Sequence, residues 1–143
     1  MINEIINKLK QHNIKPTPMR MLVLEQMTLH EDGVSLNEME YLLIDSDRIT
    51  IYRTLQTFVK NGIVHSVELV NRGTIYALCA DGCTPEGHTD YHPHFYCEKC
   101  EKIDCTEDFP YDIVKTPAAD KYQIRKIEVI IKGICPACLD KKP

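Results

Sequence analysis

Residues 49–64 read ITIYRTLQTFVKNGIV, and this stretch indicates the fold of the N-terminal half of the chain. Ile51, Leu55 and Val59 recur at every fourth position, which is the spacing of the buried face of an amphipathic helix. Gly62 follows the last apolar position and predicts the end of the helix, because glycine readily adopts the left-handed conformation that closes many helices. The stretch is therefore predicted to form a helix with a defined C-terminal end.

Further helices are predicted upstream. Their apolar residues recur at helical spacing and are Ile2, Ile5, Ile6 and Leu9 in the first, Met21, Leu22, Leu24 and Met27 in the second, and Leu36, Met39, Leu42 and Leu43 in the third. Thr17 and Ser35 precede the second and third runs, where their hydroxyls can cap a helix. Downstream, residues 63–70 and 74–78 favour strands and flank a turn at residues 71–73. Three or four helices followed by a hairpin is the order of a winged-helix domain.

Two pairs of cysteines give the strongest chemical signal in the sequence. They lie in HPHFYCEKC, residues 92–100, and GICPAC, residues 133–138, and are Cys97, Cys100, Cys135 and Cys138. Two residues between paired thiolates let both sulfurs reach one ion, and two such pairs complete a tetrahedral Zn²⁺ site without an open position. We therefore predict a structural zinc site. Disulfide bonds and a redox-active pair are the alternatives, and the odd total of 7 cysteines fits a pure disulfide framework badly.

Composition and charge limit the class of protein. The chain has 143 residues, 43% of them hydrophobic, and a formal net charge of -4, which does not by itself indicate a nucleic-acid binder. The N-terminus MINEIINKLKQ lacks signal-peptide features and no segment is long enough to span a membrane, so we expect a cytoplasmic protein without membrane contact. Lys15, Arg20, Arg48 and Arg53 could nevertheless form a local basic patch.

The composition changes near residue 80, because residues 81–88 form a polar segment with glycine and proline. We expect a winged-helix domain at residues 1–79, a linker at residues 80–91, and a smaller domain at residues 92–143. In the last of these, residues 124–131 alternate apolar and charged side chains, which predicts a strand that leads to the second cysteine pair.

The helix of the opening stretch carries residues suited to DNA contact. In a helix-turn-helix, side chains near the start of the second helix contact base edges while flanking cations hold phosphates. The residues that suit these tasks are Arg48, Thr50, Tyr52, Arg53 and Thr57. The alternative is that they form the solvated face of a helix without a partner.

The motifs KPTPMR, ITIYRTLQTFVKNGIV, TIYALC, HPHFYCEKC and GICPAC occur in this order and together resemble the ferric uptake regulator family of metal-dependent transcription factors across nearly the whole chain. The resemblance implies an α+β fold, with a winged-helix DNA-binding domain and a small α/β dimerisation domain that holds the structural four-cysteine zinc site. It also implies a homodimer that binds palindromic operators in double-stranded DNA when metal is present. Such a protein would repress metal-uptake genes and would be no enzyme with a small-molecule substrate.

The resemblance assigns roles to individual residues. Tyr52 and Arg53 match the tyrosine and arginine of the family's recognition helix, and Lys15 matches a basic residue that can approach the minor groove. A tyrosine ring can press on thymine methyl groups, and an arginine can bond a base edge or a phosphate. The full set of predicted DNA contacts is Lys15, Thr17, Arg20, Arg48, Thr50, Tyr52, Arg53 and Thr57.

A second, regulatory metal site is implied by the same resemblance. His92, His94 and Cys105 match three positions of the family's sensory site, the last of which is usually a carboxylate. Histidines two residues apart in a strand point to one face, which lets both imidazoles share an ion. His30 matches a histidine that completes this site in some members, and Cys79 matches a ligand of the zinc uptake regulators.

The spacing leaves the remaining ligand of this site open. The candidates are Cys79, Cys83, His88, Asp90 and His30, with Cys79 or Cys83 favoured. Cys79 could instead be a small buried residue and His30 a surface histidine.

Zinc is the favoured signal. Thiolate and imidazole ligands suit Zn²⁺ better than Fe²⁺, and Ala77 stands where iron-sensing members carry an acidic ligand. The main alternative is an iron- or peroxide-sensing regulator of the same family, with Fe²⁺ in the second site. A zinc-dependent hydrolase and a zinc-ribbon interaction module without DNA affinity are rivals from other classes.

The sequence departs from the family pattern at two places. Tyr91 and Pro93 stand where ligands of a further histidine-rich site would be, so we expect that site to be absent. The prolines at positions 110 and 117 leave room for at most a short helix, residues 111–115, between the cysteine pairs. We therefore expect the dimer interface to rest mainly on a strand within residues 122–131.

Overall fold

The computed structural model describes six stretches of the chain, which are residues 1–30, 32–70, 72–78, 93–105, 121–123 and 129–141. By its internal contacts the chain divides into two units, Met1–Thr89 and Asp90–Pro143. The predicted linker, the predicted helix at residues 111–115 and most of the predicted strand at residues 124–131 lie outside the described residues. Within the described stretches, no helix combines the length and the hydropathy needed to cross a membrane.

The first unit contains four helices and a three-stranded antiparallel sheet among its described residues. The elements are α1 (Ile2–Gln11), α2 (Pro18–Leu29), β1 (Val34–Ser35), α3 (Leu36–Leu42), α4 (Arg48–Lys60), β2 (Val64–Leu69) and β3 (Gly73–Leu78). The sheet has the order β1-β3-β2. This is the predicted winged-helix arrangement, with the two-residue strand β1 as an addition that the sequence did not reveal.

Polar side chains start three of these helices. The Thr17 hydroxyl accepts a backbone N–H from the first turn of α2 at 3.3 Å. Ser35 and Glu38 form a capping box, in which each side chain accepts the other residue's backbone N–H, at 3.1 and 2.8 Å. Asp47 caps α4 in the same way, at 3.2 Å. These caps satisfy N–H groups that have no partner within a helix, and so they fix where each helix begins.

The core of the first unit lies between the four helices and the sheet. Its fully or almost fully buried side chains include Leu9, Val23, Leu24, Met27, Met39, Ile51, Leu55, Phe58, Ile63, Val64 and Tyr76. In α4 the buried apolar positions are Ile51, Leu55 and Phe58, while Val59, which was predicted for this face, is only half-buried. The helical spacing is correct, but the centre of the buried face lies one residue earlier.

The hairpin after α4 follows a left-handed residue. The last helical residue of α4 is Lys60 and its C-cap is Asn61, so Gly62 follows directly after the cap with a φ of 80°, which a residue with a Cβ adopts only at a cost. Strands β2 and β3 then pair antiparallel, from Val64 opposite Leu78 to Leu69 opposite Gly73. This agrees with the strands predicted on either side of the turn.

The second unit is built on a mixed sheet. Its described elements are β4 (Pro93–Cys97), β5 (Ile103–Cys105), β6 (Val129–Gly133) and the short helix α5 (Pro136–Leu139). Strand β4 is central, antiparallel to β5 and parallel to β6. Phe95 of β4 packs near Gly133 of β6, so that a Cβ at Gly133 would lie 3.4 Å from the ring. The two units together confirm the predicted α+β fold class.

Candidate metal centre and nucleic-acid interface

The first cysteine pair lies in the turn between β4 and β5. Cys97 ends β4, and its N–H donates to the Lys102 carbonyl oxygen at 2.9 Å. Glu101 closes the turn in the left-handed region, with a φ of 65°, and donates its N–H to the Cys97 carbonyl oxygen at 2.8 Å. This tight turn brings Cys100 back beside Cys97.

The second pair lies where β6 leads into α5. Cys135 is the N-cap residue of α5, and Pro136 occupies the first helical position, where the missing N–H costs nothing. The Cys138 N–H donates to the Cys135 carbonyl oxygen at 3.0 Å. A further bond, from the Glu98 N–H to the Gly133 carbonyl oxygen at 2.8 Å, ties the first cysteine turn to the strand that carries the second.

The four sulfurs converge on one point. The Sγ atoms of Cys97, Cys100, Cys135 and Cys138 all lie within 4.8 Å of one another. The Cys100 and Cys135 sulfurs are 3.8 Å apart. A tetrahedral zinc ion with Zn–S bonds of about 2.3 Å separates its sulfur ligands by about 3.8 Å, whereas a disulfide needs about 2.05 Å. The cluster therefore fits zinc, and all four cysteines are free thiols.

Hydrogen bonds within the cluster stabilise a thiolate at Cys97. Its Sγ accepts the backbone N–H of Cys100 at 3.5 Å and that of Cys135 at 3.3 Å. These bonds, with that of Cys100 the largest, lower the pKa of Cys97 to about 6 against the opposing effect of burial. Hydrogen bonding with Cys135, followed by burial, raises the pKa of Cys138 to about 12.

The pKa of Cys100 is also raised, so a thiolate favoured at Cys97 is accompanied by thiols at Cys100 and Cys138 that ionise less readily. Crowded thiols that share hydrogen bonds ionise one after another, because each thiolate disfavours the next. A bound dication would supply the positive charge that allows all four to ligate as thiolates. Three of the four residues are buried, and Phe95 packs against them, so a metal here would be enclosed rather than open to substrate.

The residues predicted for the second metal site are only partly described. His94 is buried in β4, and the strand register places it opposite Cys105 of β5. Cys79, Cys83, His88, Asp90 and His92 lie outside the described residues. In the part of the chain that the structure describes, no group of three or more possible ligands comes together besides the four cysteines.

His30 is placed at the end of α2. Its Nδ1 atom lies 2.9 Å from the Gln26 carbonyl oxygen, and the side chain is exposed. It lines a groove of about 870 Å³ that also contains Asp32 and Glu38. The Nδ1 contact leaves Nε2 as the nitrogen with which His30 could bind an ion.

The exposed face of α4 carries the two residues predicted to read bases. Exposed side chains recur along the helix at Ile49, Tyr52, Arg53, Gln56 and Lys60, opposite the buried face. We call these five residues the exposed stripe. Tyr52 is 46% exposed. A helix that offers an aromatic ring, a cation and an amide in one stripe has the donors and apolar surface needed for major-groove contacts.

The other predicted contacts of α4 have partners within the protein. The Arg48 guanidinium donates to Asn37 Oδ1 at 2.7 Å and forms an ion pair with Glu40 of α3. The Thr50 hydroxyl donates to the carboxylate that caps α4, at 3.2 Å. Thr57 is half-buried, and its hydroxyl donates to the Arg53 carbonyl oxygen at 3.0 Å. The stripe therefore runs through Gln56 rather than Thr57.

The loop before α2 is braced from within the helix. Arg20 donates from its guanidinium to the Lys15 carbonyl oxygen at 2.8 Å, while Thr17 caps the helix between them. Lys15 itself is exposed. Lys15 therefore offers an exposed side chain from the loop, and Arg20 of α2 holds the backbone of Lys15 in place.

Comparison with known proteins identifies the family. The sequence model of the ferric uptake regulator family matches residues 11–132. The chain belongs to the ferric uptake regulator family. It is similar to the zinc uptake regulation protein of Escherichia coli (strain K12), with 31% identity over 137 residues, which cover 91% of this chain and 76% of that protein. It is also similar to the ferric uptake regulation protein of Synechococcus elongatus, with 29% identity over 94 residues, or 62% of this chain and 57% of that one.

Solved structures of ferric uptake regulator family proteins share the fold. A zinc uptake regulator complexed with zinc and DNA has a TM-score of 0.72 and 26% identity, covering 97% of this chain and 93% of that one. Holo XcZur has a TM-score of 0.77 and 23% identity, and the match covers 97% of this chain and 99% of that one. The Vibrio cholerae ferric uptake regulator has a TM-score of 0.54 and 22% identity, and the match covers 91% of this chain and 98% of that one.

Three residues of the exposed stripe are absent from the contacts predicted from sequence. Ile49 lies three residues before Tyr52, Gln56 three residues after Arg53, and Lys60 four residues after Gln56, at the spacing of one helix face. Their positions relative to the buried residues of α4 could have revealed them. The family motif drew attention to the tyrosine and arginine instead, because those two residues carry the resemblance.

Proposed function

We propose that this member of the family is a zinc-responsive transcriptional repressor that binds palindromic operators in double-stranded DNA as a homodimer. The observation that carries the proposal is the exposed stripe of α4, where Tyr52 and Arg53 stand side by side on the recognition helix of a winged-helix unit. The similar E. coli protein is a zinc uptake regulator, and a similar regulator has been solved with zinc and DNA. Zinc-dependent control of metal-uptake genes follows from that likeness.

The DNA contacts divide into base readers and backbone contacts. Tyr52 and Arg53 lie near the start of α4, the part of a recognition helix that reaches base edges. Lys15 is exposed in the loop before α2 and can approach a neighbouring groove or phosphate. Thr17, Arg20, Arg48, Thr50 and Thr57 complete the predicted set. Their bonds within the protein favour roles in positioning or in phosphate contact over direct base reading.

The four-cysteine cluster is proposed to hold a structural Zn²⁺. The spacing of its sulfurs fits a tetrahedral ion, and all four ligand positions come from the protein. An ion held by two separate turns of the chain would join β4 and β5 to β6 and α5. In small domains of this kind, the free energy of metal binding is also free energy of folding.

The signal is proposed to be a second Zn²⁺, bound at a softer version of the family's sensory site. The proposed ligands are His92, His94 and Cys105 with Cys79 or Cys83, and His88 and His30 are weaker candidates. The backbone register that pairs His94 with Cys105 supports the assignment, because it brings two of the proposed ligand positions together in neighbouring strands. A thiolate in place of a carboxylate favours zinc over Fe²⁺.

Metal binding would control DNA binding through linkage. A ligand shifts a conformational equilibrium only by its differential affinity for the two states. If zinc binds the DNA-binding conformation more tightly, zinc raises the affinity for DNA by the same factor as DNA raises the affinity for zinc. A homodimer, with an interface that includes residues 122–131, would then match the symmetry of a palindrome.

The proposed role also indicates where the protein works and whether it catalyses a reaction. A repressor works where the chromosome is, and four free thiols require a reducing environment, so we place the protein in the cytoplasm. No catalytic role is proposed. The enclosed cysteine cluster leaves no coordination position for a substrate, unlike the open zinc sites of hydrolases.

Elemental analysis combined with DNA binding tests the proposal. The protein is purified without added metal and analysed before and after treatment with a mild chelator, while its affinity for DNA is followed in both states. We expect about two zinc ions per chain to fall to about one, with loss of specific DNA binding. Iron in the labile position would support the iron- or peroxide-sensing alternative. No specific DNA binding at any metal level would overturn the regulator proposal.

A further inference from the structure

Gln56 of the exposed stripe is held by a residue of the wing, which is the hairpin of β2 and β3. Its Nε2 atom donates a hydrogen bond to the Tyr76 hydroxyl oxygen at 3.2 Å, across 20 residues of sequence. Gln56 is exposed, while Tyr76 retains only 3% of its exposure. The amide is therefore anchored at one end by a buried hydroxyl and open to solvent at the other.

Tyr76 is a rigid anchor because of its place in the sheet. It lies in β3, the central strand, opposite Ser66 of β2 on one side and Val34 of β1 on the other. Burial raises the pKa of its hydroxyl, the bond from Gln56 opposes that rise, and the nearby phenol of Tyr52 adds to it. The hydroxyl consequently stays protonated at neutral pH.

Gln56 and Tyr52 lie one helical turn apart on the same face of α4. Residues at this spacing are neighbours on a helix surface, so the amide that bonds Tyr76 lies next to the position of Tyr52. Gln56 thus extends the reading face begun by Tyr52 and Arg53. Its long, flexible side chain would otherwise lose considerable rotamer freedom on binding, and the bond to Tyr76 removes part of that cost beforehand.

We infer that Gln56 is a base-reading residue of the recognition helix that selects an adenine, with Tyr76 as the positioning residue for its amide. The inference rests on the proposed function, since it concerns the same protein–DNA interface. It adds one specified base pair to those read by Tyr52 and Arg53.

The chemistry of the amide identifies the base. After one N–H is used by Tyr76, the side chain retains one N–H donor and the carbonyl oxygen as an acceptor. In the major groove, adenine offers the matching pair, an acceptor at N7 and a donor at N6. Guanine offers two acceptors, N7 and O6, and would leave the glutamine carbonyl oxygen opposite another acceptor. An amide that is held in orientation cannot flip to relieve this mismatch.

A purely structural role predicts a different result. If the bond between Gln56 and Tyr76 only braced α4 against the wing, its loss would lower the affinity for all DNA sequences by a similar factor. If Gln56 reads adenine, its loss would erase the preference at one base pair of each half-site and leave the others unchanged. The sequence dependence of binding therefore separates the two roles.

The experiment uses the full-length zinc-loaded protein and the double-stranded site that it selects from a random-sequence library. Each base pair of that site is replaced in turn, and affinities are measured for the wild type, Gln56→Ala, and Gln11→Ala as the matched control on α1. At one adenine, replacement by guanine should lower the affinity of the wild type for the site by about 5- to 150-fold. The same replacement should lower the affinity of Gln56→Ala by less than about twofold. Gln11→Ala should retain the full wild-type preference.

Two further variants separate reading from anchoring. Tyr76→Phe keeps the ring in the core and removes the hydroxyl, and it should reduce the preference at that same adenine by several-fold while the affinity for non-specific DNA stays unchanged. Gln56→Glu has the same length without the N–H donors, and it should shift the preference at that position toward cytosine. Thermal unfolding of each variant shows whether it is folded.

The outcomes distinguish this inference from the proposed function. Specific binding by the wild type, with no base pair whose preference depends on Gln56, would overturn the reading role and leave the regulator proposal intact. A uniform loss of affinity across all sequences in Gln56→Ala would assign Gln56 to bracing and also overturn it. Failure of the zinc-loaded wild type to select any site would overturn the proposed function itself.

Discussion

The Sγ atoms of Cys100 and Cys135 lie 3.8 Å apart although 35 residues separate them in the chain. This distance matches the edge of a zinc–thiolate tetrahedron, and it exceeds the length of a disulfide bond by far. The contact joins the turn between β4 and β5 to the start of α5. Removing one of these sulfurs should therefore affect the stability of the second unit as well as its metal content.

Cys100→Ser should lose the tightly held zinc and destabilise the second unit. A serine hydroxyl is a weak zinc ligand, and the three remaining thiols would be left crowded without the ion that compensates their charge. We expect the chelator-resistant zinc to fall from about one per chain to near zero, with an earlier thermal transition. Atomic absorption and calorimetry measure both quantities. Retention of the tight zinc would contradict the four-cysteine assignment.

His94→Ala should affect the labile metal alone. His94 belongs to the proposed regulatory site and not to the cysteine cluster, so the structural zinc should remain at about one per chain. Zinc-dependent gain of DNA affinity should be lost, while weak non-specific binding persists. Titration of the variant with zinc under gel-shift conditions measures this, and Cys100→Ser is the comparison. A variant that still responds to zinc would remove His94 from the sensor.

The cysteine cluster and most of the fold could be predicted from sequence because their signals are local. Helix spacing, the caps at Thr17 and Ser35, and the stop of α4 just before Gly62 each depend on a few neighbouring residues. The cysteine spacing works in the same way, since each turn places its own pair. These predictions needed no knowledge of which element packs against which.

Contacts between distant elements could not be predicted in this way. Strand β1 has two residues, and it exists because Val34 and Ser35 find partners in β3, some 40 residues later. The bond from Gln56 to Tyr76 and the ion pair of Arg48 also join separate elements. A sequence pattern can assign such residues to an exposed face, but only the packing of α4 against α3 and the wing determines their partners.

Arg53→Ala should weaken specific operator binding, by about 5- to 150-fold for each half-site, without changing the metal content. Arg53 is exposed in the stripe beside Tyr52, and loss of an arginine that bonds a base edge costs about 1–3 kcal/mol of binding free energy. Tyr52→Ala should behave similarly, through lost contact with thymine methyl groups. Fluorescence anisotropy with the selected site, together with zinc analysis, checks both variants. Wild-type affinity in either variant would exclude that residue from the interface.

Glu40→Gln should raise the affinity for DNA by releasing Arg48. The guanidinium of Arg48 is held by Glu40 and Asn37, and both ion-pair partners are nearly half exposed, so the pair contributes at most about 1 kcal/mol to stability. Without the carboxylate, Arg48 can turn toward a phosphate. The plot of log affinity against log salt should then steepen by about 0.9 for one added phosphate contact.

The control for this prediction is Glu4→Gln on α1, which makes the same change in net charge at an exposed position outside α3 and α4. It should leave the salt slope as in the wild type. An equal effect of both substitutions would mean that overall charge, and not the release of Arg48, changes DNA binding.

Ser35→Ala should destabilise the first unit by about 1 kcal/mol, since it removes the hydroxyl that caps α3. For a unit of this size, that loss lowers the melting temperature by about 4–8 °C. The effect should extend to the wing, because Glu38, the other half of the capping box, also lies 3.5 Å from the Arg72 guanidinium. Without the hydroxyl, the Glu38 backbone N–H loses its acceptor, so the first turn of α3 holds Glu38 less firmly, although its carboxylate keeps the backbone N–H of residue 35 and the Arg72 guanidinium as partners.

Ser35→Thr is the matched variant, because threonine retains the capping hydroxyl and suits the strand position that residue 35 also occupies. It should keep the wild-type melting temperature. Calorimetry measures the stability of all three proteins, and DNA affinity at fixed zinc tests whether the loosened wing weakens binding. Equal destabilisation by alanine and threonine would show that packing of residue 35, rather than its hydrogen bond, holds the start of α3.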